Sequence, residues 1–309
     1  MSSCCIGARC RRCRFSLRAS DRMRRAIHSL VIAGLIAACS ESSQVARVDT
    51  PRAAADSAVS AKAPFRVPQE SEIGDSVTLA SVRRGRALIH STRDSLPNHV
   101  RATLTCANCH IGDGTVRDAM PLVGSYARFP QYRGRSGKVD IIEDRINDCF
   151  TRSMNGVALD PAGRDMRDIV SYLAFLSRGF PVGVEMEGQS VPQIAVLKGD
   201  TTRGIEVFKT RCIACHGVDG QGTAAAPPLW GPKSFNIGAG MSRVNSAARF
   251  IHKVMPRDNP GSLTPQQAYD VAAYVTSRPR PDMPGKENDW PKGSPPPDVA
   301  YATKASLRR

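Results

Sequence analysis

Apolar residues recur at helical spacing in four stretches of the 309-residue chain, and the four fall into two pairs. The first pair is "SVRRGRALIHST" at 81 to 92 and "GRDMRDIVSYLAFLSR" at 163 to 178. The second is "DTTRGIEVFKTR" at 200 to 211 and "TPQQAYDVAAYVTSR" at 264 to 278. Between the members of each pair the sequence is rich in Gly and Pro. The closing helices match residue by residue, Asp168-Ile-Val-Ser-Tyr-Leu against Asp270-Val-Ala-Ala-Tyr-Val. Such self-similarity marks a repeated supersecondary unit. Pro265 directly behind Thr264 suits the first helical position after a Thr cap. The pattern predicts a mainly α fold of two similar units in tandem.

The flanks lack this pattern. From Met23, "MRRAIHSLVIAGLIAACS" has a basic start, an apolar run too short for a permanent membrane span, and small residues directly before Cys39. It resembles a lipoprotein signal cut before a lipidated Cys39, with an ordinary secretory signal as the alternative. Residues 1–38 are therefore read as a processing segment, with Met23 as a candidate true start. The Ala/Ser/Pro-rich stretch 39–72 reads as a tether. The first unit spans 73–182, a linker 183–198, the second unit 199–280. In the tail, 281–309, a proline every few residues prevents a long helix and implies an extended path over the surface.

Composition sharpens this picture in two ways. Aromatic residues make up only 6% of the chain while Gly and Pro number 25 and 22, which favours modest helices and long loops, with a prosthetic group supplying core volume. The formal charge is +15, but residues 1–38 hold eight of the 43 basic residues and one of the 28 acidic ones, so the remainder carries +8. With no nucleic-acid motif, that charge points to small anions, an acidic redox partner or a membrane surface, and nucleic acid is not expected.

Each unit carries one C-x-x-C-H motif, "CANCH" at 106 to 110 and "CIACH" at 212 to 216. Two thiols at this spacing form thioethers with porphyrin vinyl groups while the adjacent His reaches the iron. A lone copy would also suit zinc or a redox dithiol; two copies in matching repeats of an exported chain point to two cytochrome c-like domains. Each covalently attaches one haem c: Cys106, Cys109 and His110 hold haem 1, and Cys212, Cys215 and His216 hold haem 2. "CRRCR" at 10 to 14 lacks the His. For the sixth ligand of haem 2, Met255 lies in a loop before the closing helix, where a small cytochrome c presents its Met. Met241 in "IGAGMSRV" competes, and His252 reads as surface.

The first unit has no equivalent Met-Pro loop, although Met120 in "AMPL" is a candidate. Once Cys39 and the four haem-linked cysteines are set aside, Cys149 is the one thiol left beyond residue 38, and it has no disulfide partner. Its surroundings, "VDIIEDRINDCFTRSM", are too polar to bury a bland cysteine. If 139–154 is helical, Arg145, Cys149 and Ser153 share one face, and a cation one turn away favours the thiolate that ligates metal or attacks sulfur. Arg133, Arg135 and Lys138 lie just upstream, as a solvated basic face or as part of an anion pocket.

These residues, above all "RINDCFTRSMNG" downstream of "CANCH", resemble the thiosulfate dehydrogenase family of dihaem cytochromes c, and more distantly the SoxA subunit. The resemblance covers about residues 75 to 280. It implies His110 and Cys149 as axial ligands of a catalytic haem 1, His216 and Met255 as ligands of an electron-transfer haem 2, and Arg135, Arg145 and Ser153 around the substrate. It implies oxidation of two thiosulfate to tetrathionate, reversible in principle, with a soluble or membrane cytochrome or another acceptor taking the electrons. Where some members place an exchanging Lys before the haem 2 methionine, this chain has Val254, with Lys253 one residue further away. Competing readings are a dihaem electron carrier and a SoxA-like subunit that acts only with a partner. The expected location is the periplasmic face, lipid-anchored through Cys39.

Overall fold

In the computed structural model, which describes residues 62–307, the Asp75 carboxylate accepts the Thr78 amide (2.7 Å) and starts helix α1 (Ser76–His90). There follow α2 (Thr92–Ser95), a kinked turn α3 (Ile111–Gly114), and an antiparallel hairpin of β1 (Gln131–Arg133) and β2 (Lys138–Asp140) with Arg133 opposite Lys138. Helix α4 (Ile142–Asp148) runs directly into a π-helical turn (Cys149–Ser153), and α5 (Arg164–Leu176) closes the unit. The second unit comprises α6 (Thr201–Arg211), α7 (Ile213–His216), α8 (Val244–Val254) and α9 (Pro265–Ser277). At the start of α9 the Thr264 side chain accepts the Gln267 amide while Gln267 accepts that of Thr264, with Pro265 in the first turn as expected.

The repeat has a physical cause. In each unit the opening helix crosses the closing helix at a glycine: a Cβ on Gly85 would collide with the Asp168 carbonyl and with Tyr172, and one on Gly204 with the Asp270 carbonyl and Tyr274. The matched Asp and Tyr thus mark the crossing point. Each Asp side chain then ties the helices together. Asp168 accepts from Ser81 Oγ (2.6 Å) and Arg84 (2.5 Å), and Asp270 from Arg203 (2.7 and 2.8 Å). Around these crossings lie the apolar cores, Val82, Leu88, Ile169 and Leu173 in the first unit and Phe208, Trp230, Val271 and Val275 in the second.

The described parts of the tether, the linker and the tail are built into the body. Within the tether, Phe65 and Val67 pack on the first core, and Ala63 bridges to Met186 of the linker. Met186 and Val191 of that linker are themselves buried. The tail forms no long helix among the described residues, yet it does not merely cover the surface: Asp289, Trp290 and Thr303 are buried. Asp289 receives both Arg152 Nη atoms at 2.8 Å, the Trp290 amide donates to the Arg135 carbonyl, and Asp298 accepts the Asn245 amide, so the tail clasps both units. The proposed signal, Cys39 and the tether before residue 62 lie outside the described residues.

The glycine crossings predict that Gly85→Ala and Gly204→Ala each cost about 1–3 kcal/mol in denaturant unfolding of the holoprotein, whereas Gly74→Ala, with nothing within 4 Å of its Cβ position, stays within about 0.5 kcal/mol. Burial alone would raise the Asp168 and Asp270 carboxyls, but Ser81 and Arg84 at one, and Arg203 and the Asp200 amide at the other, hold both below the ordinary carboxylate range. Their stabilisation is present above that range and disappears as pH falls through the depressed values. Acid titration is expected to lower the denaturation midpoint from about pH 4 downward, less steeply in Asp168→Asn.

Candidate active site

The first cysteine motif is held by polar contacts made around it. Residues Cys106–Asn108 form a 3-10 turn whose Thr105 cap bonds to Asn108, and Thr92 Oγ1 accepts the Cys106 amide (3.1 Å). Gly112, Asp113 and Gly114 then adopt consecutive left-handed conformations, which only short or absent side chains tolerate, and the chain doubles back. The reversal brings the Met120 carbonyl to His110 Nδ1 at 2.6 Å. A carbonyl only accepts, so Nδ1 carries the proton and Nε2 keeps the lone pair that a metal needs. His216 repeats the arrangement, with Nδ1 donating to the Pro227 carbonyl at 2.8 Å, and its burial lowers its pKa, favouring the neutral ring.

His110, Cys106 and Cys109 line a cavity of about 400 Å³ walled by apolar side chains such as Leu104, Phe150, Leu173 and Phe235. Burial pushes the Cys106 thiol up to about 12 and the Cys109 thiol up to about 11, so both remain protonated. Among the described residues no three His, Cys, Asp or Glu side chains converge as a metal cluster, so neither motif builds the closed tetrahedral site that structural zinc requires. An apolar slot with two thiols and an oriented imidazole at its edge fits a covalently attached haem.

Cys149 opens on the same cavity. It caps the C-terminus of α4, as Met255 caps that of α8, and each follows its unit's motif histidine by 39 residues. That equal interval is a signal in the sequence that motif reading alone passes over. Arg145 Nη1 donates to Cys149 Sγ at 2.8 Å across one helical turn. Burial pushes the Cys149 thiol up, but the charge and hydrogen bond of Arg145 outweigh it and bring the thiol down to about 7. The thiol shares the cavity lining with the motif histidine, and Arg145 in turn is held charged by Cys149.

The expected helix over 139–154 is corrected: residues 138–140 are strand, α4 starts at Ile142, and the turn carrying Cys149 is π-helical. The wider turn still keeps Ser153 on the cavity wall with Arg145 and Cys149. It also leaves backbone carbonyls without helical partners. Asn236 of the second unit meets them, its Nδ2 donating to the Thr151 carbonyl (2.8 Å) and its amide to that of Arg152 (3.2 Å). Arg135 is not brought to the cavity wall. Its Nη1 donates to the Gly238 carbonyl (2.8 Å) and its guanidinium stacks on Trp290 at 4.7 Å, so the side chain is spent on joining the second unit and the tail.

In the second unit, Met255 packs beside Phe250 and Val254, near Ile111 and Met120 of the first unit. One turn earlier, Ile251 packs on the same core as Cys212 and Ile213. Met241 instead lines the cavity of the first motif. His252 donates Nδ1 to the Leu263 carbonyl (2.9 Å), and Lys253 pairs with Asp118 at 3.5 Å. The sequence reading missed Arg243, Ser246 and Arg249, which reach the first cavity from the second unit. Nothing local in the sequence ties them to it.

Residues 98–182 match the SoxA/TsdA cytochrome c domain, and residues 201–279 match the cytochrome c domain. With one haem c covalently bound in each unit, the protein is a dihaem c-type cytochrome. It is 41% identical to a thiosulfate dehydrogenase of Psychrobacter arcticus over 247 residues, 78% of this chain and 76% of that protein. It is 42% identical to one of Allochromatium vinosum, over 70% of this chain and 84% of the relative. A solved structure of thiosulfate dehydrogenase (TsdBA) from Marichromatium purpuratum, as isolated, is 35% identical with a TM-score of 0.68, covering 72% of this chain and 50% of that one, so this chain spans half its length. The chain belongs to the thiosulfate dehydrogenase family and is an oxidoreductase acting on sulfur compounds.

Asn236→Ala removes the side-chain bond to the π-helical turn, and is expected to cost about 1–3 kcal/mol, the penalty for a buried carbonyl left without a partner. Denaturant unfolding of the holoprotein measures it.

Proposed function

We propose that this protein oxidises two thiosulfate dianions to tetrathionate in the cavity between Cys149 and His110, and releases two electrons to a cytochrome-type acceptor. The observation that carries this reading is the Arg145–Cys149 pair, 2.8 Å apart inside an apolar cavity whose lining includes no carboxylate. Haem 1, when bound there, supplies an iron that accepts electrons singly. His110, its proton held on Nδ1 by the Met120 carbonyl, and Cys149 would be the side chains that hold its iron, through Nε2 and sulfur.

Each dianion gives up one electron and one sulfur–sulfur bond forms between the outer sulfurs, with no proton or oxygen exchanged. The obstacle is electrostatic. At an effective dielectric constant of about 20, two dianions about 5 Å apart repel by roughly 13 kcal/mol, whereas one guanidinium about 4 Å from both returns roughly 17 kcal/mol. Arg145 supplies an offsetting charge, and its bond to Cys149 keeps it where the outer sulfur must arrive. Ser153 adds a hydrogen-bond donor on the same wall. Arg135, engaged by Gly238 and Trp290 and 3.9 Å from Asp289, does not touch substrate in this arrangement. Because no proton is consumed, the same groups serve the reverse reaction.

His216 and Met255 would hold haem 2, which would supply a second one-electron centre. The chain is exported and tethered to the periplasmic face of a membrane through a lipid on Cys39, supported by the small residues before that cysteine. No described helix is long and apolar enough to cross a membrane.

Thiosulfate-dependent reduction of an artificial acceptor by the holoprotein tests the reading. Cys149→Gly and Arg145→Ala are each expected to lower kcat at least about 10²-fold with both haems still attached. Activity unchanged in either variant overturns the assignment of that residue.

A further inference from the structure

Three guanidinium groups line the cavity of the first motif, those of Arg145, Arg243 and Arg249, and its lining includes no Asp or Glu. Among the described residues, only Arg145 of the three has an anion within hydrogen-bond reach, the Cys149 sulfur. Arg243 and Arg249 belong to the other unit. Arg243 caps α8, and Ser246 and Arg249 follow at intervals of three, so all three point from one helical face into the first unit's cavity.

The pairing of these two arginines is incomplete. Arg243 Nη2 donates to Ser246 Oγ (2.9 Å), its Nη1 is 3.9 Å from Asp298, and its buried Nε has no partner. Asp298 is already engaged by the Asn245 amide (2.9 Å). Arg249 donates to the neutral carbonyls of Pro192 (3.1 Å) and Val191 and, with the Gln193 amide turned to match, to its side-chain oxygen (3.1 and 3.2 Å), and among the described residues no carboxylate lies within ion-pair distance of it. Partly buried cations with a distant counter-ion, as for Arg243, or with only neutral acceptors, as for Arg249, leave charge uncompensated, so their place against an apolar slot suits an anion. A haem c brings two carboxylates of its own.

We propose that Arg243 and Arg249, from the second unit, bind the propionate carboxylates of haem 1 and leave Arg145 to the substrate. The catalytic cavity is then completed by the second unit, and α8 serves both centres: its face holds the carboxylates of haem 1 and its C-terminal cap is Met255. The proposal rests on haem 1 occupying this cavity, and does not depend on what haem 1 oxidises.

Redox titration of the full holoprotein, following both haems by their visible and electron paramagnetic resonance spectra, provides the test. Removing a cation beside the carboxylates disfavours the extra electron on that haem. Arg243→Gln and Arg249→Gln are expected to lower one of the two midpoints, the one that Cys149→Gly also alters, leaving the other in place and two haems bound per chain. Arg243→Lys and Arg249→Lys, which keep the charge and guard against misfolding of the glutamine variants, are expected to shift that midpoint less. The proposal is overturned if neither midpoint moves, if both move together, or if the lysine variants shift as far as the glutamine ones. An increase in KM for thiosulfate at unchanged midpoints likewise overturns it, by giving these arginines to the substrate. Loss of thiosulfate oxidation alone, with the midpoint pattern as expected, instead counts against the substrate reading and leaves this proposal standing.

Discussion

A thiolate can persist in an apolar cavity only where a positive charge is buried beside it, and in this protein that charge is Arg145, one helical turn before Cys149. Burial by itself drives the thiol toward its neutral form; the guanidinium at 2.8 Å reverses the balance and brings it to about 7. Much of the first unit can be understood as support for this pair. The short helix α4 sets the spacing, the turn at Ile111–Gly114 lets Met120 orient the opposing histidine, and the π-helical turn keeps Cys149 and Ser153 on one wall. π-Helical turns carry carbonyls that an α-helix would satisfy internally, and here Asn236 of the second unit takes over that role.

The two units therefore do more than stand in series. Phe235 and Ala239 of the second unit sit in the core of the first, and Arg135 and Arg152 of the first unit are held by Gly238 and by Asp289 of the tail. Met255 packs close to Met120, whose carbonyl orients His110, so the loops bearing candidate ligands of both haems share one apolar junction.

What could be read from the sequence was whatever has a local cause. The C-x-x-C-H motifs, the Thr264 cap and the paired closing helices follow from chemistry within a few residues, and the shared Asp and Tyr proved to mark a glycine-mediated helix crossing. The Arg145–Cys149 contact was legible because i and i+4 face each other on any helix. Other features depend on distant burial. The strand at 138–140 follows a hairpin turn in which Gly137 takes a left-handed conformation, a turn signal in "RGRSGK" that the helical reading of 139–154 overrode. Arg135 has the sequence position of a substrate contact but is drawn to Trp290, more than 150 residues further along. Periodicity carries no information about Trp290, Met186 or Arg249, since each is placed by a partner from another part of the chain.

Ligation of the first haem by Cys149 is the claim on which the chemistry rests, and low-temperature electron paramagnetic resonance of the oxidised holoprotein probes it without reference to any substrate. A thiolate-ligated low-spin signal accounting for one of the two haems, lost in Cys149→Gly while two haems remain attached, is the expected result. A spectrum that Cys149→Gly leaves unchanged would contradict it.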